Sequence, residues 1–161
     1  MTEVFARIQS AIDRTIDSSE ISHGTLVLRL SREQLAATVS RLKGEFGFDM
    51  LLDVTAVDWP EHEERFHVVW HLYSTQHFVR IRIKTRVTEA DPVVPSLCPQ
   101  FGSANFMERE CREMYGIVFD GLADTRPLLL YEGFVGHPLR KDYAKDHEQP
   151  LVAYRTPAAE A

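Results

Sequence analysis

What this 161-residue chain lacks narrows its class before any motif is considered. No stretch approaches the ~18 consecutive apolar residues that a membrane-spanning helix needs. The N-terminal MTEVFARIQSAIDR is charged throughout and carries no signal-peptide apolar core, so a cytosolic location is expected. There are only two cysteines, Cys98 and Cys111, and neither stands in a CxxC or zinc-type spacing. Reduced core thiols are the expectation. Ser96 and Ser103 lie outside any GxSxG elbow, and no Rossmann fingerprint or ferredoxin cysteine cluster is present. The sequence therefore offers no nucleophile triad and no ligands for a nicotinamide, flavin or iron–sulfur group. The net charge of −6 comes with no basic tail or arm, which argues against general nucleic-acid binding. Proline is scarce early: of eight, only Pro60 precedes residue 92. The first half can thus be regular, while the second is broken repeatedly.

What is present reads as one globular domain, with 44% hydrophobic and 26% charged residues. Val4, Ile8 and Ile12 recur at helical spacing, predicting a helix over 2–17. Ser18 to Gly24 reads as a connector and 25–30 as a strand. Ser31 and Gln34 form a capping box for a helix to about Lys43, stopped by Gly44 and Gly47. Strands follow at 49–57, 65–73 and 78–87. The apolar parity of the last two predicts a hairpin whose paired numbers sum to an odd value, for example Leu72 with Val79. Residues 88–105 read as a proline-interrupted loop and 103–115 as a helix. The result is an α+β two-layer sandwich, with helices on one face of a mixed, mostly antiparallel sheet. An irregular, extended C-terminal segment follows, and TPAAEA reads as a frayed end.

Four groups of residues invite chemistry. His67 and His71 share a strand face, with His62 and His77 flanking. They stand roughly 13 Å apart at ~3.3 Å per residue, too far to share one ion, so a solvated face is expected. Arg80, Arg82, Lys84 and Arg86 line one face of the strand at 78–87, either to dock an acidic partner or to protect an edge. Glu108, Arg109, Glu110, Arg112 and Glu113 crowd one stretch of helix. There Glu108–Arg112 and Arg109–Glu113 have the i,i+4 spacing of ion pairs, beside a Met107, Cys111, Met114 and Tyr115 stripe. Finally, Gly133 and Gly136 precede His137, Pro138, Leu139, Arg140, Lys141 and Asp142. The glycines supply backbone angles that other residues resist, and the whole is a preorganised, charged strip suited to docking on a protein surface.

The run ERECREMYGI (108–117), followed by Tyr131 and GFVGHPLRKDY (133–143), resembles the C subunit of NADH-quinone oxidoreductase, respiratory complex I. Pro95-Ser96-Leu97 and Ala104-Asn105 are similar to further positions of that family. The spacer 121–127 and Phe101 depart from its usual GHPDLRR and tryptophan. The resemblance implies a domain of the C-subunit kind over 1–143 and a short tail over 144–161. It implies a cofactor-free peripheral-arm scaffold on the cytoplasmic side of the cell inner membrane, touching the membrane only through the complex. FMN and iron–sulfur clusters would belong to partner subunits, carrying electrons from NADH to quinone with proton translocation. The partners implied are the hydrogenase-like D subunit and other peripheral-arm subunits. Glu108, Arg109, Glu110, Gly133, Gly136, His137, Pro138, Arg140, Lys141 and Asp142 would form the subunit interface. Alternatives are the equivalent subunit of a membrane-bound [NiFe]-hydrogenase or of a ferredoxin-driven photosynthetic relative, and a free-standing adaptor domain.

Overall fold

In the computed structural model, residues 2–12 and 15–150 are described. The order is α1 (Thr2–Ile12), β1 (Ser18–Ser22), β2 (Thr25–Arg29), α2 (Arg32–Phe46), β3 (Met50–Asp58), β4 (Phe66–Ser74), β5 (Val79–Val87), β6 (Val93–Pro95), α3 (Ala104–Tyr115) and β7 (Val118–Asp120). Five strands make one sheet in the order β1-β2-β5-β4-β3, antiparallel except for the β2–β5 pair. The expected mixed, mostly antiparallel sheet is what forms. Phe5, Ile8 and Ile12 of α1, Leu35, Val39 and Leu42 of α2, and Ala104 and Cys111 of α3 join one core. Trp70, Leu72, Ile81 and Ile83 meet them from a single sheet face, so the helices lie on one side. Alternation along β4 and β5 dictates this, because a period of two sends all these apolar side chains the same way.

Several elements differ from expectation. Helix α1 does not continue as a helix through Thr15–Asp17: the Thr15 hydroxyl donates to the Ile12 carbonyl at 2.8 Å, and the Asp17 N–H already donates to Arg29. The expected connector is strand β1, folded onto β2 by a two-residue turn in which His23 and Gly24 both have positive φ, +50° and +74°. That conformation matches the twist of a hairpin, and glycine adopts it without strain. Helix α2 absorbs Gly44 and runs to Phe46, ending at Gly47. Its capping box is formed, with the Gln34 side chain accepting from the Ser31 N–H at 3.0 Å.

The β4–β5 register pairs Leu72 with Ile81 and Ser74 with Val79. The sum is odd, so the faces are right, but the pairing is two residues off the Leu72–Val79 example. The turn holds Thr75–Phe78, closed by the Phe78 N–H donating to the Ser74 carbonyl at 2.9 Å. The proline-rich stretch is also not wholly loop. β6 lies within it and pairs in parallel with β7 across α3. Residues 121–150 form no helix or strand, and 151–161, including the expected frayed end, lie outside the described residues.

Candidate partner interface

Helix α3 is where the sequence motif becomes geometry. Neither expected i,i+4 ion pair forms, because each side chain turns to a more distant backbone. The Glu108 carboxylate is completely buried and accepts from the Ser96 hydroxyl at 2.6 Å and the Leu97 N–H at 2.7 Å. Burial pushes its pKa up, against the lowering effect of these donors. Arg109 donates to the carbonyls of Arg126 and Pro127 at 3.0 and 2.9 Å and pairs with Asp124 at 3.3 Å. Arg112 donates to the Thr125 carbonyl, and Glu113 accepts from the N–H groups of Leu128 and Leu129. Backbone groups left without a ladder must find partners somewhere, and here α3 supplies them. A helix that reads as salt-bridged to itself instead holds down residues 124–129.

The next stretch is fastened to the C-terminal end of the same helix. Its last carbonyls have no intrahelical partner. His137 Nδ1 donates to Glu113 at 2.7 Å, the Leu139 N–H to Met114 at 3.1 Å, and Arg140 Nε to Tyr115 at 2.6 Å. The cationic Arg140 also suits the negative end of the helix dipole, and its guanidinium lies 4.9 Å from the Phe66 ring centre. Gly116, at φ +77°, makes the close approach possible. A Cβ there would sit 2.5 Å from Arg140 Nη2 and 2.6 Å from His137 Nε2. Gly116→Ala is therefore expected to combine left-handed strain of about 1–2 kcal/mol with displacement of both side chains. Limited trypsin digestion, followed by mass, should show faster cleavage after Arg140 and Lys141 than in the unaltered chain.

A third anchor lies under residues 140–142. Asp58 and Arg65 form a buried bidentate pair at 2.7 and 2.9 Å. Asp58 also accepts from the Lys141 N–H at 2.7 Å, and Arg65 reaches Asp142 at 3.0 Å and Glu89 at 2.9 Å. These contacts hold the Asp58 and Asp142 carboxyls below their ordinary range, chiefly through hydrogen bonds from Arg65. Between the anchors, Tyr131 packs edge-on to Phe134, Phe134 stacks near Tyr143, and Tyr143 meets His147. Residues 122–149 thus form a strap, tied at three points but mostly on the surface. It presents Leu129 at 62% exposure and Val135 at 70%, with Tyr131, Leu139 and the nearby Val118 also exposed.

The motif residues divide into two kinds. Glu108, Arg109, His137, Arg140 and Asp142 have their polar groups engaged within the chain. Glu110, Gly133, Gly136 and Lys141 face outward, with Pro138 half-buried, and both glycines adopt positive φ. Asp58, Arg65, Glu89, Glu113 and Asp124 join the site without standing among its sequence-predicted residues, since nothing local connects Asp58 with Lys141. Of the histidines, His62 stacks on Trp59 with ring centres 5.4 Å apart and lies 5.9 Å from His67, but among the described residues no three His, Cys, Asp or Glu side chains group to hold a metal ion.

A helix capped and guyed by its own downstream strap is thus built from the two motifs that carry the family resemblance. A family model described as "Respiratory-chain NADH dehydrogenase, 30 Kd subunit" matches residues 28–149. The chain belongs to this family. It is 41% identical over 145 residues to the NADH-quinone oxidoreductase C subunit of Rhizobium johnstonii, covering 89% of this chain and 72% of that one. The Xanthobacter autotrophicus C subunit is 38% identical over 164 residues, covering 96% and 78%. Among solved structures, the trypsin-resistant fragment (1-134) of Nqo5 superposes with a TM-score of 0.68 at 31% identity, over 75% of this chain and 98% of the fragment. A chain of the archaeal membrane-bound sulfane sulfur reductase shares the fold, with a TM-score of 0.72 at 21% identity, over 89% of this chain and 85% of that one. The α+β architecture is thus that of the complex I C subunit, a respiratory-chain component that works with other subunits. Among the described residues no helix is long and apolar enough to cross a membrane.

Proposed function

We propose that this chain is the scaffold subunit of a proton-translocating NADH:quinone oxidoreductase. In this reading it sits in the peripheral arm at the cytoplasmic side of the membrane and holds no cofactor. FMN and the iron–sulfur clusters reside in partner subunits, along the path from NADH to quinone. The strap packs against the hydrogenase-like D subunit. The observation that carries the reading is that Leu129, Tyr131, Val135 and Leu139 each stand exposed along a backbone already fixed by α3 and Asp58. A preorganised apolar surface binds with little ordering cost. Glu110, Gly133, Gly136, Pro138 and Lys141 would then touch the partner. Glu108, Arg109, His137, Arg140 and Asp142 would serve the interface by holding the strap. The names of the relatives favour the NADH-dependent complex over a [NiFe]-hydrogenase.

Affinity purification of the tagged chain from native membranes tests this. The unaltered chain should bring down the other peripheral-arm subunits, the hydrogenase-like one among them. Leu129→Asp with Val135→Asp should reduce that yield at least about tenfold, since hot-spot losses reach ~2 kcal/mol or more each, while the purified chain keeps its melting temperature. Recovery of the whole complex at normal yield with the double variant would refute the strap as the docking surface.

A further inference from the structure

The strap lies at one end of α3, while the sheet face opposite the helices carries a separate feature. On that face β5 places Arg80, Arg82, Lys84 and Arg86 in a row, opposite Tyr73, His71, Val69 and His67 of β4. β2 adds Arg29 beside Lys84. Alternate residues of a strand are ~6.6–7 Å apart, so these charges stand in repulsive range of one another. Edge protection does not explain them, because β5 is the central strand of the five. Nor does internal pairing. Arg29 pairs with Glu20 at 2.6 Å and Arg86 approaches Glu64 at 3.6 Å, but among the described residues Arg80, Arg82 and Lys84 form no ion pair. The Lys84 ammonium is held below its ordinary pKa by partial burial, with Arg29 and Arg82 adding to it. Beneath the cations, Val27 and Val69 of the same face are buried, in the way that long basic stems cover apolar floor while their heads stay in water. Beyond Lys84 the face runs into a groove of about 660 Å³ where Arg29 and Arg86 are balanced by Asp17, Glu33, Glu64 and Asp91, so the excess of positive charge is confined to the row itself.

We propose that this cationic face is a second docking surface, distinct from the strap, which receives a carboxylate-rich surface of another subunit of the same complex. Three unpaired cations concentrated on one face of a chain of net charge −6 point to a local acidic patch as the occupant. An extended polyanion such as a membrane or nucleic acid would be repelled by the remainder of the molecule. Two of the three are arginines, whose planar fork matches a carboxylate bidentately. The inference rests on membership of an assembled complex but not on the strap's role in it.

The test pairs a charge variant with a cross-link, both in cells assembling the complex. Arg80→Gln, Arg82→Gln and Lys84→Gln together should leave the melting temperature of the purified chain within a few degrees. They should lower its retention in isolated complex about tenfold at moderate salt, three exposed pairs each giving a small share. A photo-reactive p-benzoylphenylalanine at Arg80 in the otherwise unaltered chain should cross-link to an identified segment of another subunit rich in Asp and Glu. Retention of the triple variant equal to the unaltered chain overturns the proposal. So does a cross-link to lipid, to a second copy, or to a segment with no acidic excess. Failure of the unaltered chain to enter the complex removes both readings, whereas failure of the variant test alone removes only this one.

Discussion

Asp58→Ala should lower the thermal midpoint of the purified chain by about 10 °C and release the strap. The Asp58 carboxylate is buried against Arg65, itself nearly buried, so removing it leaves a guanidinium whose other partners, Glu89 and Asp142, are half exposed. Breaking a buried pair from one side costs ~3–5 kcal/mol, and a chain of this size shifts ~2–4 °C per kcal/mol. The Lys141 N–H loses its acceptor in the same step. A double variant with Arg65→Met should be less unstable than the sum of the single changes, because the stranded charge is then gone. Acid has a related effect. The folded-state pKa values of Asp58 and Asp142 lie below the ordinary 3.8. Their contribution is therefore full above about 3.8 and is lost as pH falls through the lowered values. In Asp58→Ala that acid limb should flatten. Differential scanning calorimetry across pH, with hydrogen exchange at residues 137–143, reads both effects; an unchanged midpoint and unchanged exchange would contradict the anchoring role.

Glu108→Ala should cost about 3 kcal/mol, or about 6–12 °C, and disorder the 96–98 loop. It removes the acceptor of two buried donors, the Ser96 hydroxyl and the Leu97 N–H, and orphaned buried donors cost ~1–3 kcal/mol each. Glu108→Gln should lose less, since its amide oxygen still accepts from one donor while its NH₂ confronts the other. The pH dependence runs opposite to that of Asp58. Burial raises the folded-state pKa of Glu108 above its ordinary 4.5. The protonation-linked part of its contribution is thus full below about 4.5 and is lost as pH rises through the raised value, while its role as acceptor for Ser96 and Leu97 remains. Glu108→Gln should remove that decline. Urea unfolding of both variants between pH 4 and 8 separates the cases, and a Glu108→Ala chain as stable as the unaltered one would show that the loop does not need this carboxylate.

Both effects centre on residues that the local pattern of the chain describes poorly. The spacing of Glu108, Arg109, Arg112 and Glu113 is that of a helix paired with itself, and charged residues in sequence are usually exposed. Yet Glu108 is wholly buried, and all four side chains serve backbone groups up to 18 residues away. Competition explains it. An exposed i,i+4 pair is worth ~0.2–0.5 kcal/mol, whereas backbone donors left unsatisfied on burial cost several times more. The short strands carry as little local signal. β1 has a single large apolar residue, Ile21, and β6 and β7 span three residues each, too few for a period of two to register.

The amino-acid sequence by itself determined the α+β class, the parity that sends Trp70, Leu72, Ile81 and Ile83 to one face, and membership of the complex I C-subunit family. Each of those follows from local periodicity or from contiguous motifs, which need no knowledge of what lies far along the chain. Tertiary structure alone decided which motif residues face outward and which are consumed within. It did so by bringing Asp58 to Lys141 across 83 positions and laying the strap on the end of α3. It also decided that the row of cations on β5 runs down the middle of the sheet. Strand order depends on which distant segments pair, and that information resides in the packed core rather than in any one segment.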